Sequence, residues 1–156
     1  MKTVCTLGFM ALIIGMLPGC VEEEGPLMKP GENCLRCHGG GDAPRFTVAG
    51  TVYSCAEAGS GDGVGGVAIV IKDGSGTEIE RLTSNEVGNF YSFSQMPSSF
   101  QVSVERNGTG HEMADSPSTG ACNSCHSVPP QGDAPGRLYI DKAACGVTPT
   151  SALLQN

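Results

Sequence analysis

The middle of this chain predicts an all-β fold, a small antiparallel sandwich. Three observations carry that prediction: apolar residues alternate with polar ones in short runs, one run is mostly β-branched, and turn residues recur about every 10 positions. Phe46, Val48, Gly50 and Val52 alternate with Thr47, Ala49 and Thr51, the pattern of a strand with one buried face. Val67-Ala68-Ile69-Val70-Ile71 is a run of mostly β-branched residues, which favour strands. Asp73-Gly74-Ser75-Gly76 then forms a turn into a strand from Thr77 to Thr83. Asn89 to Ser94 is a further short strand, and Phe100, Val102 and Val104 alternate with Gln101, Ser103 and Glu105. Leu138, Tyr139 and Ile140 supply a last one.

Two pentapeptides flank this β-region: Cys34-Leu35-Arg36-Cys37-His38 and Cys122-Asn123-Ser124-Cys125-His126. Each is a C-x-x-C-H, the attachment signature of c-type haem. Two thiols at this spacing reach the two vinyl groups of one porphyrin, and the adjacent His ligates the iron through a ring nitrogen. The expectation is two c-type haems, with Cys34, Cys37, Cys122 and Cys125 as thioethers and His38 and His126 as proximal ligands.

Zinc is the main competitor, because the four cysteines also read as a split tetrahedral site. The pairs lie 84 residues apart, against about 15–20 in ordinary zinc knuckles. A His follows both pairs although the chain has only 3. A disulfide within each pair is the bland alternative and leaves both His unexplained.

The amino end reads as an export signal. Lys2 precedes a short apolar run from Val4 to Leu17, too short to span a bilayer comfortably. Leu17-Pro18-Gly19-Cys20 resembles a bacterial lipobox. That resemblance implies cleavage after residue 19 and acylation of Cys20, hence a lipid anchor in the bacterial envelope. Ordinary cleavage is the alternative, since Pro18 is unusual at its position. Export fits covalent haem attachment, which the c-type cytochrome resemblance puts outside the cytoplasmic membrane, and it permits disulfides.

Composition narrows the partners. The chain is acidic, with 9 Lys and Arg against 16 Asp and Glu, and cleavage would also remove Lys2. Such a balance argues against nucleic acid and against electrostatic binding to anionic lipid. It favours a basic or neutral redox partner protein. Gly is abundant at 23, Trp is absent and aromatics are 5%, so little apolar area is available for burial, and porphyrins would supply some of it.

The domain organisation follows. Residues 1–19 are the signal, and 20–33, with Glu22-Glu23-Glu24, Pro26, Pro30 and Gly31, read as a disordered tether. Residues 34–156 form one dihaem domain: a haem segment (34–45), the sandwich (46–106), a second, irregular haem segment (107–136) and a terminal strand and tail (137–156).

Part of the sandwich has a family resemblance. Gly50-Thr51-Val52, Gly66-Val67-Ala68-Ile69-Val70, Thr83-Ser84-Asn85-Glu86-Val87-Gly88-Asn89-Phe90 and Met96-Pro97 before Phe100 resemble the carboxypeptidase regulatory-like domain. That is a small Ig-like, prealbumin-type sandwich. The resemblance covers roughly residues 47–105 and implies a non-catalytic scaffold or binding module.

Ligand arithmetic limits the iron chemistry. With His38 and His126 committed, His111 is the one remaining His, so at most one haem is bis-His from within the chain. Met113 is a second distal candidate; Met28 and Met96 are further thioethers, and core filling is the ordinary use of any Met. Cys55 and Cys145 remain as a candidate disulfide, closing a loop worth roughly 4–5 kcal/mol, or as two free thiols. The function expected is electron transfer without substrate turnover. Two other classes stay open: a haem enzyme with an open sixth site, and an assembly module of a larger multihaem complex or oligomer.

Overall fold

A computed structural model of the protein describes residues 25–141 and Cys145. The export signal, Cys20, the acidic triplet and most of the tail lie outside the described residues. Seven strands form two facing sheets. β1 (Val48–Tyr53), β4 (Asn89–Ser92) and β7 (Leu138–Tyr139) make a three-stranded sheet in the order β4-β1-β7. β2 (Ala68–Asp73), β3 (Glu78–Thr83), β5 (Phe100–Arg106) and β6 (Thr109–Glu112) make a four-stranded sheet in the order β3-β2-β5-β6. All pairings are antiparallel except β1 with β7. The fold is therefore the all-β sandwich expected, with one parallel pair.

The alternating residues meet in one core. Val48, Val52, Phe90 and Leu138 of the first sheet share a cluster with Ile69, Ile71, Val102 and Val104 of the second. β1 is buried along its whole length, which the alternation alone does not predict. The residues of its other face are covered by the segment before Cys34. The Gly31 N–H donates to Thr51 Oγ1 at 2.9 Å, and Gly31 lies directly against the Tyr53 hydroxyl and Arg137.

Two expectations are corrected. Residues 25–33 are not a free tether. Asn85 Nδ2 donates to the Pro26 carbonyl at 2.6 Å and Asn89 Nδ2 to the Met28 carbonyl at 2.9 Å. Side chains from the β4 region thus satisfy backbone acceptors that would otherwise need water. Residues 109–112 are not irregular either. Asn107 and Gly108, both at positive φ (51° and 78°), turn the chain into a hairpin, and β6 pairs with β5.

Cys55 and Cys145 are joined by a disulfide with 5.4 Å between Cα atoms. It ties the chain just after β1 to the segment following β7.

Candidate cofactor site

Both pentapeptides fold into the same single turn. In the first, the Cys34 carbonyl accepts from the N–H groups of Cys37 (3.2 Å) and His38 (2.9 Å). In the second, the Cys122 carbonyl accepts from Cys125 (3.3 Å) and His126 (2.9 Å). The first turn is the short helix α1 (Leu35–His38) and the second a 3₁₀ turn (Cys122–Ser124).

The two imidazoles are anchored alike. His38 Nδ1 lies 2.8 Å from the Pro44 carbonyl, and His126 Nδ1 lies 3.0 Å from the Gly136 carbonyl. A carbonyl oxygen only accepts, so Nδ1 carries the proton in both rings. In the neutral ring Nε2 then holds the lone pair. A hydrogen bond from the far ring nitrogen of this kind orients a metal-ligating His and fixes its tautomer. Burial also lowers the His126 pKa, against the opposing pull of its Gly136 hydrogen bond, and so keeps a ligating lone pair available.

One side chain links the two turns. Asn123 is buried. Its Nδ2 donates to the Glu32 carbonyl (2.9 Å) and to Thr51 Oγ1 (3.1 Å), while its Oδ1 accepts from the Thr51 N–H (3.1 Å). The residue next to Cys122 is thereby bonded to β1 and to the carbonyl two positions before Cys34. Turns 84 residues apart in sequence are neighbours in space.

Their surroundings differ. His38 is buried and stacks on Phe46 at 4.1 Å and 10°. Phe46 stacks in turn on Tyr91 at 4.4 Å, and Phe93 meets both rings edge-on. A groove of about 510 Å³ opens beside them, walled by Met28, Cys34, Cys37, His38, Tyr91 and Phe93 among others. That volume falls within the range of small-molecule and cofactor sites. In the second turn, Cys122 packs against the sandwich core with its Cβ beside Gly50. Part of the Cys122 residue stays accessible, but its thiol is enclosed. Burial, helped by nearby Cys34, pushes that thiol up to about 12. Burial likewise raises Cys34, and Cys125 is exposed.

The donor set fits a c-type haem at three points: paired cysteines, an oriented Nε2, and an apolar groove against the first turn. One sulfur needs a change of state. Cys37 is disulfide-bonded, and a thioether there requires that bond to be reduced first. A shared zinc site fits less well. Among the described residues, the grouping of three or more ligand atoms close enough for one ion is Cys55, Glu57 and Cys145, whose two sulfurs bond to each other.

The distal candidates are dispersed. His111 sits on β6 opposite Val104, its ring 5.3 Å from Tyr139. Met113 and Met96 pack against the sandwich core. Neither His111 nor Met113 lines the groove of the first turn, whereas Met28 does. The Nδ1 anchors at Pro44 and Gly136 were not anticipated; their distances of six and ten residues from the His carry no motif. No family model, curated protein or solved structure matches this chain, so the site is argued from its own geometry.

Proposed function

We propose that this protein is an electron carrier holding two c-type haems. Cys34 and Cys37 attach one, Cys122 and Cys125 the other, and Nε2 of His38 and of His126 each ligate an iron. The observation that carries this reading is the repeated anchor: two C-x-x-C-H turns, each with its imidazole Nδ1–H donated to a backbone carbonyl. The bound group supplies a one-electron iron couple. The chain's part is to orient the imidazoles, shield the first turn with Phe46, Tyr91 and Phe93, and hold the two turns together through Asn123. The prealbumin-type sandwich serves as scaffold. The net charge of −7 favours a basic or neutral redox partner. Export, and anchoring through an acylated Cys20, belong to the same reading.

The test is the intact mass of the full chain from an exporting host that attaches c-type haem. The expected product exceeds the polypeptide by two haems and gives a low-spin spectrum when reduced. Zinc without haem overturns the reading.

A further inference from the structure

We infer that Met28 is the sixth ligand of the iron held at the first pentapeptide, in place of His111 or Met113. This inference rests on the haem reading above and assigns a ligand that the reading leaves open.

The groove beside α1 is lined by Cys34, Cys37 and His38 and also by residues of the segment before them, Met28 among these. Among the residues lining it, the soft or imidazole donors are Met28, the two cysteines and His38. The cysteines and His38 already have roles and Tyr91 is stacked on Phe46, so Met28 is the uncommitted soft donor of the type that ligates haem iron. His111 belongs to the hairpin of the four-stranded sheet, and Met113 packs against the core.

The backbone around Met28 is held, not draped. Its carbonyl accepts from Asn89 Nδ2, and its N–H donates to the Gly25 carbonyl at 3.3 Å. The Pro26 carbonyl accepts from Asn85. Lys29 follows at φ 41°, an uncommon conformation for a residue with a side chain. Such conformations persist where the surroundings over-determine them. Here Asn89 fixes the residue before Lys29, and the Gly31 N–H bond to Thr51 fixes the chain two residues after it. Thr51 Oγ1 in turn donates to Asn89 Oδ1 at 2.8 Å, so both anchors belong to one hydrogen-bonded group. A core-filling Met needs no such support. A side chain that must meet a metal from a fixed direction does.

The experiment is optical spectroscopy and potentiometry of the haem-loaded full chain and four variants. The wild type should show the sulfur-to-iron charge-transfer band of His/Met ligation. Met28→Ala should abolish it and alter one of the two haems. Met28→His should restore a low-spin iron without the band and lower that haem's potential, which separates lost ligation from lost folding. His111→Ala and Met113→Ala should both keep the band. Persistence of the band in Met28→Ala, its loss in Met113→Ala, or its absence from a loaded wild type overturns the assignment. A chain that carries no haem overturns the haem reading itself, and this inference with it.

Discussion

The two C-x-x-C-H turns share a backbone and differ in almost everything around it. Both close on the carbonyl of their first Cys and both pin Nδ1 to a carbonyl. The first lies against an aromatic stack that reaches solvent, with Phe93 61% exposed. The second is pressed into the sandwich, its leading thiol enclosed beside Gly50. The shared C-x-x-C-H pattern therefore fixes the local turn and the imidazole, while the scaffold fixes access, polarity and the neighbouring side chains. Two irons held in such unlike surroundings would have unlike potentials, because burial and the hydrogen bonds made by the ligands tune a metal along with the ligands themselves.

The contrast is broken most strongly at Gly50. A Cβ there would lie 2.8 Å from Cys122 Cβ and 2.9 Å from the Phe90 ring, so Gly50→Val overpacks the second turn. The cost should be about 3 kcal/mol, read as a lower denaturant midpoint. Haem should be attached less completely at the second pentapeptide than at the first, read by peptide mass. Equally reduced attachment at both would mean that the turns are not independently seated. A smaller effect is expected at the link. Asn123→Ala strands the buried Thr51 N–H and frees Glu32, costing about 2 kcal/mol in denaturant unfolding; a neutral result would remove Asn123 as the coupler. The smallest effect sharpens the contrast without changing the fold. In haem-free chain, an alkylating reagent should label exposed Cys125 well before enclosed Cys122, whose protonated thiol is the weaker nucleophile. Mapping of labelled peptides over time reads the order.

The strands were legible where alternation is strong. Val67 to Ile71 and Phe100 to Val104 announce themselves, because a pleated strand buries every second side chain or, inside a sheet, nearly all of them. β6 was missed although its signal was present. Asn107-Gly108 is the commonest short hairpin turn, but the strand after it, Thr109-Gly110-His111-Glu112, has no apolar face. The order in residues 25–33 could not be read locally. Pro, Gly and Glu describe a tether by composition, and the bonds that hold it come from Asn85, Asn89 and Thr51, far along the chain. The site divides in the same way. Thiols and imidazoles stand in a motif that can be counted, whereas the Pro44 and Gly136 carbonyls and the groove wall at Met28 exist only once the sheets have closed.

Thr51 on β1 accepts hydrogen bonds from Gly31, earlier in the chain, and from Asn123, later in it, and this has a consequence in time. A chain delivered from its amino end presents Cys34 and Cys37 first. The residue that ties their segment to the second turn, Asn123, lies 72 positions beyond Thr51. At synthesis rates of about 5–20 residues per second, the 85 residues from Cys37 to Cys122 take roughly 4–17 s to arrive. During that interval the first pair of cysteines has no second turn bridged to it. The protein's layout thus separates in its making two turns that it joins when finished.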